Sequence, residues 1–193
     1  MKILIVGGVA GGAGTAARLR RNDENAQIIL FEKGEYISFA NCGLPYYIGG
    51  SITEREALQL QTPEAFHARF NVDVRVNNEV LSVNSAEKTV TVKNHATGET
   101  YTENYDALVL SPGASPIRPP FDGIEKNHVF TLRNIPDTYA IYAHIAAAKP
   151  RTAAVIGAGF IGLEMAENLA DRGIAVSVIE GADHVMAPLD GDM

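Results

Sequence analysis

One sulfur atom stands alone in this sequence. Cys42 is the only cysteine among 193 residues, so it cannot be half of an internal disulfide. Around it runs Ser38-Phe39-Ala40-Asn41-Cys42-Gly43-Leu44-Pro45-Tyr46-Tyr47. Asn41 is a residue type that caps helices, Gly43 leaves backbone room, and Pro45 is tolerated in a first turn, whose N–H groups lack helical partners anyway. A helix beginning at Asn41 would hold Cys42 at its positive end, which favours the thiolate, the nucleophilic form. The alternative for any solitary cysteine is a small hydrophobe in a core. Two glycine-rich patterns, one on either side, tip the balance toward chemistry.

The first pattern occupies residues 2–33. Ile3 to Val6 is a short continuous apolar run, as expected of a strand buried on both faces. Gly7-Gly8-Val9-Ala10-Gly11-Gly12-Ala13-Gly14 forms a loop, Thr15 to Arg21 continues a helix of small residues, and Ile28 to Phe31 reads as the next strand. Glu32 closes that strand twenty residues after Gly12. Strand, glycine loop, helix, strand and terminal acid form the order of a dinucleotide fingerprint: pyrophosphate rests on the helix N-terminus and the acid bonds a ribose hydroxyl. One position departs from the strict pattern, because Val9 stands where the middle glycine belongs.

The second pattern is complete. Ala153 to Ile156 reads as a strand, Gly157-Ala158-Gly159-Phe160-Ile161-Gly162 is a full G-x-G-x-x-G, and Leu163 to Arg172 is a helix capped by Gly173. Ala175 to Ile179 is the following strand, with Glu180 eighteen residues past Gly162 and placed for the adenosine ribose hydroxyls. No arginine or lysine follows Glu180 through Asp183, so nothing is present to hold a 2′-phosphate, and NADH is favoured over NADPH.

Other elements connect these two. Residues 53–70 read as helical, with Thr62 capping and Pro63 in the first position of a second helix. Arg69 reads as a solvated charge at a helix end rather than a substrate contact. From Val72 to Leu110 the apolar period becomes two, giving a small antiparallel meander (Val72/Val74/Val76, Val80 to Val83, Val90/Val92, Tyr101) before Ala107 to Leu110 returns to the main sheet. Ser111 to Pro120 is a proline-rich crossing. Asn134, Pro136 and Asp137 start a helix that runs to Ala148. The expected class is α/β: two Rossmann-like units, residues 1–113 with the inserted meander and residues 114–193 with a shortened sheet.

Composition narrows the partners. A net charge of -7 argues against a phosphate backbone as partner, and no stretch approaches the roughly twenty apolar residues of a membrane span. Lys2 and Ile3 to Val6 resemble the front of a signal peptide, but the run is four residues long, glycines break it and arginines follow. One cysteine suits a reducing compartment, so the expected location is the cytoplasm. No metal ligand set is assigned.

Two such units around an isolated cysteine resemble the flavin-dependent pyridine nucleotide–disulfide oxidoreductases. The Ser-Phe-Ala-Asn-Cys-Gly-Leu-Pro-Tyr stretch is similar to the branch with one redox cysteine, that of coenzyme A-disulfide reductases and NADH-dependent persulfide reductases. Gly-Gly-Val-Ala-Gly-Gly, Leu108 to Ala114 and Thr131 to Asn134 are likewise similar to it, and its members carry valine at the position of Val9. The resemblance implies FAD in the first unit, held by Gly7, Val9, Ala10, Gly12, Glu32 and Lys33, with Ser111, Pro112, Gly113 and Arg133 beside it. It implies NADH on the second, at Gly157, Gly159, Phe160, Ile161, Gly162 and Glu180. Coenzyme A would lie along Gly14, Arg18, Arg21, Ser38 and Asn41. Arg18 and Arg21, three apart on one helix face, can grip phosphates; a solvated basic helix end is the other reading of that pair.

In the mechanism this implies, hydride passes from NADH to flavin and electrons reach a sulfur bond at Cys42. Cys42 attacks a disulfide or persulfide and leaves a mixed disulfide with coenzyme A. A second enzymatic reading is an NADH oxidase or peroxidase cycling Cys42 through a sulfenic acid; the Asn-Cys-Gly-Leu-Pro-Tyr context and the two arginines speak against it. Chains of this family would continue through the rest of the NADH unit to a dimerisation domain, and form homodimers. This one stops after the second strand of its second unit, so it reads as a truncated gene product or a cut piece, itself expected to be inactive. A non-catalytic dinucleotide-binding fragment is the alternative of another class.

Overall fold

The computed structural model describes residues 1–191. They divide into two compact units, one built from Met1–Phe39 and Gln59–Ala114, the other from Ala40–Leu58 and the chain from Ser115 onward. The last two residues of the terminal stretch, Asp192 and Met193, lie outside the described residues.

The first unit is layered around a parallel sheet. Strands β1 (Lys2–Val6), β2 (Gln27–Phe31), β3 (Asp73–Arg75) and β7 (Ala107–Leu110) lie in the order β3-β2-β1-β7. All three pairings are parallel, with Ile5 opposite both Leu30 and Val109. Successive side chains of a strand face opposite ways, and β1 divides its residues accordingly. Ile3 and Ile5 enter a core with Ala13 and Ala16 of helix α1 (Ala10–Asn22) and Phe66 of helix α3 (Pro63–Phe70). Leu4 enters a second core with Ile29, Phe31, Val90 and Val92. That second layer is the meander, strands β4 (Asn78–Asn84), β5 (Thr89–Asn94) and β6 (Thr100–Asn104), paired antiparallel in the order β4-β5-β6.

The expectation that Val72, Val74 and Val76 belong to the meander is corrected here. β3 pairs parallel with β2, Leu30 opposite Val74. The physical reason is the preceding helix: a strand that leaves a sheet and returns through a helical crossover comes back parallel. A left-handed turn at Asn77, φ 56°, then redirects the chain into β4. A charged cluster ties the two layers together. Glu103 on β6 accepts from Lys2 on β1 and from Arg75 on β3 (2.7 Å), while Tyr101 donates to the buried Asn78 at 2.8 Å. Arg75 also pairs with Asp73 at 2.7 Å. Partial burial raises the Glu103 carboxyl, but the bonds and charges of Lys2 and Arg75 outweigh this and hold it below its ordinary value of 4.5.

The second unit contains helix α4 (Ile135–Ala148), strands β8 (Thr152–Ile156) and β9 (Ala175–Ile179), paired parallel, and helix α5 (Phe160–Asp171). Asn134 caps α4 as expected: its side chain accepts from Asp137 N at 2.9 Å while Asp137 accepts from Asn134 N, a closed capping box. Thr62 caps α3 of the first unit in the same manner, accepting from Ala65 N. Ile141, Met165, Leu169 and Ile174 form the core of the second unit with Ala153, Val155 and Val176 from the sheet. On the opposite sheet face Ile156 and Ile179 are exposed.

Residues 40–58 break the sequential division at residue 113. Helix α2 (Leu44–Gly49) buries Ile48 in the core of the second unit. The cysteine stretch therefore leaves the first unit after Phe39, packs on the second, and returns at Gln59, where a Phe39–Gln59 bridge closes the excursion.

Candidate active site

The two glycine loops are built alike, bond for bond. In the first, Gly7 N donates to Phe31 O at 2.8 Å and Gly8 N to Glu32 Oε2 at 2.8 Å. In the second, Gly157 N donates to Ile179 O at 2.8 Å and Ala158 N to Glu180 Oε2 at 2.6 Å. Gly7 and Gly157 share φ +97°, a left-handed conformation that glycine adopts without cost. A Cβ on Gly12 would lie 1.7 Å from Gly7 O, and one on Gly162 would lie 1.9 Å from Gly157 O. These last glycines let the helix press against the loop that precedes it. Val9 takes the place that Gly159 takes in the second loop, each standing at the N-cap of its helix. The loop therefore forms around Val9 despite the missing glycine.

One part of this repeat is absent from the motif. Ser38 N donates to Gly8 O at 2.9 Å, and Met186 N donates to Ala158 O at 2.9 Å. Both donors sit at positive φ, 44° and 55°. Neither residue type announces a left-handed conformation, so the sequence carried no signal for the pairing.

The loops suit a dinucleotide. The first turns of α1 and α5 carry no acidic residue, leaving the positive helix ends open to phosphate. The space above Gly159 is clear for 4 Å where a side chain would stand. Glu32 and Glu180 each end a strand beside their loop. Backbone N–H groups of Ala182, Ala158 and Gly181 hold the Glu180 carboxyl below the usual range, so it is an anion and a hydrogen-bond acceptor. Ser111 abuts the first loop: a Cβ on Gly7 would meet its carbonyl at 2.0 Å, and one on Gly11 would meet its Oγ at 3.1 Å. Pro112, Gly113 and Lys33 are exposed, and Gly113 has φ 71°.

Two clefts gather most of the remaining candidates. The first unit has one of about 260 Å³ between α1 and α3, lined by Val9, Ala10, Gly14, Ser38, Gln61 and Arg69 among others. Gly14 and Ser38 are thus brought together. Arg69, read from the sequence as a solvated helix-end charge, is exposed but stands in this wall, its guanidinium 5.2 Å from the Phe70 ring. Arg18 and Arg21 are exposed on α1 and do not line the cleft. Their neighbour Arg20 is committed elsewhere: it donates to the carbonyls of Phe70, Asn71, Asp23 and Glu24, clamping the ends of α1 and α3 together.

The second unit has a cleft of about 320 Å³ lined by Asn41, Cys42, Leu44, Pro45, Leu132, Arg133, Phe160, Ile161 and Glu164. Cys42 is exposed, as its free thiol requires for reaction. Arg133 lines this cleft, and Ser111, Pro112 and Gly113 belong to the first unit. Leu132 and Glu164 were not sequence candidates; Glu164 lies one turn beyond Phe160, a helical spacing that could have suggested it.

The local structure around Cys42 differs from expectation in one respect. Asn41 does not cap a helix. A 3₁₀ turn, Asn41–Gly43, begins after Ala40 with no side-chain cap, and α2 follows with Pro45 in its first turn. Freed from capping, Asn41 leaves its Oδ1 buried and without a hydrogen-bond partner. An unpaired buried acceptor costs about 1–3 kcal/mol, and beside Cys42 it fits a ligand that donates a hydrogen bond. Among the described residues, no group of three or more His, Cys, Asp or Glu could hold a metal ion, and no helix is long and apolar enough to cross a membrane.

Comparison with known proteins agrees with this geometry. Residues 1–193 match the profile described as pyridine nucleotide-disulphide oxidoreductase. The coenzyme A disulfide reductase of Staphylococcus epidermidis is 44% identical over 192 residues, covering 100% of this chain and 43% of the relative. The crystal structure of reduced Bacillus anthracis CoADR-RHD superposes with a TM-score of 0.95 at 61% identity, over 98% of this chain and 34% of that one. The NAD-dependent persulfide reductase of A. fulgidus gives 0.94 at 38% identity, over 100% and 36%. The chain thus spans less than half the length of the relatives it matches. Two like-built dinucleotide loops, a solitary exposed thiol and a match along its whole length place this chain in the pyridine nucleotide-disulphide oxidoreductase family.

Proposed function

We propose that this chain serves NADH-driven, FAD-dependent reduction of coenzyme A disulfide or a coenzyme A persulfide, with Cys42 as the nucleophile. The observation that carries the reading is the second cleft, where Asn41 and Cys42 face Phe160 and Ile161, the first helical residues after the second glycine loop. The names of the relatives supply the substrate class.

In this reading Gly7, Val9, Ala10, Gly12, Glu32, Lys33 and Ser111–Gly113 hold FAD, and Gly157, Gly159, Phe160, Ile161, Gly162 and Glu180 hold NADH, with Arg133 and Glu164 in the cleft wall. The Cys42 thiolate attacks one sulfur of the disulfide. A Cys42–coenzyme A mixed disulfide forms and the other coenzyme A leaves as a thiolate, so the sulfur count and charge are conserved. FAD and NADH, when bound, supply the electron pair that returns Cys42 to the thiolate and frees the second coenzyme A. Asn41 Oδ1 accepts a hydrogen bond from the substrate.

The experiment is purification with FAD, followed by addition of coenzyme A disulfide and a count of the thiol released in one round of exchange at Cys42. Retained yellow colour and release that vanishes in Cys42→Ser support the reading. NADH consumption by oxygen alone, unchanged by coenzyme A disulfide, would replace it with an oxidase.

A further inference from the structure

Helix α2, which follows Cys42, and helix α5, which follows the second glycine loop, touch at both ends. At one end Cys42, Leu44 and Pro45 share a cleft with Phe160, Ile161 and Glu164. At the other, Arg172, the residue that ends α5, donates from Nη1 to Ile48 O in the last turn of α2 at 2.7 Å. Starts adjacent and ends adjacent mean that the helices run side by side in the same sense. Their dipoles then repel, and a cation at the shared C-terminal end offsets that. Arg172 also satisfies a carbonyl that has no intrahelical partner.

The contact is close and ordered. Tyr142 of α4 supports the guanidinium, whose centre lies 5.0 Å from the ring centroid, and Tyr47 of α2 packs on Tyr142 at 5.2 Å and on Tyr139 at 5.6 Å. Arg55 stacks on Tyr139 at 3.9 Å. Asn168, 2% exposed, fills the space between the helices. Its Nδ2 donates to Glu164 O at 2.8 Å, and a Cβ on Gly49 would lie 2.0 Å from its Oδ1.

We propose that Arg172 is a positioning residue: it latches the end of α2 onto α5 against Asn168, which acts as a spacer, and thereby sets how close Cys42 stands to the first turn of α5. The inference rests on the proposed role of Cys42 for its catalytic meaning, but its geometry needs no cofactor. Its test therefore uses the 193-residue chain without FAD, NADH or coenzyme A.

A Phe160→Cys background gives a second thiol in the cleft, and a short bismaleimide reports how often the two thiols are within reach. Arg172→Ala is expected to slow cross-linking about tenfold, and Arg172→Lys, which keeps a donor and the charge, to restore it to within about threefold. Single labelling of Cys42 by iodoacetamide, a small reagent, should change less than twofold. Gly49→Ala pushes α2 from the opposite side and should slow cross-linking likewise, with Asn168→Ala added to it restoring the rate. That pair decides the matter should Arg172→Ala fail to fold. A cross-linking rate indifferent to Arg172→Ala in folded protein, or a Gly49→Ala effect that Asn168→Ala does not rescue, overturns the latch. Loss of coenzyme A disulfide chemistry with the cross-linking response intact overturns only the proposed function.

Discussion

Two alanine substitutions on one helix, two residues apart, should have opposite effects. Gly12 and Gly14 both lie in α1, and the chemical change is the same methyl group. At Gly12 that methyl would stand 1.7 Å from Gly7 O, a backbone atom, and 3.2 Å from Ile5 Cγ2. The helix must retreat from the loop, and forced overpacking of this kind costs about 1–3 kcal/mol. At Gly14 nothing lies within 4 Å of the new methyl. Alanine there gains helix propensity and narrows the unfolded ensemble, stabilising by about 0.5–1 kcal/mol. The gap between the variants is therefore about 1.5–4 kcal/mol. At about 2–4 °C per kcal/mol for a chain of this length, the melting midpoints should differ by roughly 3–16 °C. Circular dichroism melts in excess FAD and without it provide the assay. Gly12→Ala should also lose most of the shift that FAD produces, because its loop is displaced. Midpoints of both variants moving in the same direction, or an unchanged Gly12→Ala, would refute the close helix–loop contact.

Other expectations follow from single contacts. Glu103→Gln should reduce stability at neutral pH by about 1.5–3 kcal/mol, the scale of hydrogen bonds to charged groups. The Glu103 carboxyl is depressed in the fold, so its contribution is present above pH 4.5 and is lost as pH falls through the folded value. The variant should consequently show a flatter loss of stability below pH 4.5 in urea titrations, and an equally steep loss would contradict the assignment. Glu180→Gln should weaken NADH binding roughly tenfold, the scale of losing a charged acceptor to a hydroxyl pair, while leaving FAD binding alone; fluorescence titration separates the two.

How far the fold could be read depended on the range of the interaction responsible. Glycine loops, their strands and the caps at Thr62 and Asn134 are local, set by residues within a few positions of one another, and were legible. Whether Val74 pairs with β2 or joins the meander is decided by Leu30, far away in the sequence, and alternation carries no record of it. The excursion of residues 40–58 onto the second unit rests on contacts such as Arg172 with Ile48 O and Gly49 with Asn168. Nothing in the sequence near Gly49 names Asn168 as its neighbour, which only the folded chain brings to it. The clefts were half legible: Cys42, Phe160 and Ile161 carry motif signatures, whereas Leu132, Gln61 and Glu164 are ordinary residues made relevant by position.

The thiol exchange at Cys42 can be observed without any cofactor, and that is its most direct test. The chain is mixed with coenzyme A disulfide, and the Cys42 peptide is weighed by mass spectrometry while freed thiol is counted. One coenzyme A carried on Cys42, one coenzyme A thiol released per chain, full reversal by dithiothreitol, and much slower reaction with glutathione disulfide are the predicted results. A peptide that stays unmodified, or one modified equally fast by either disulfide, would contradict the account.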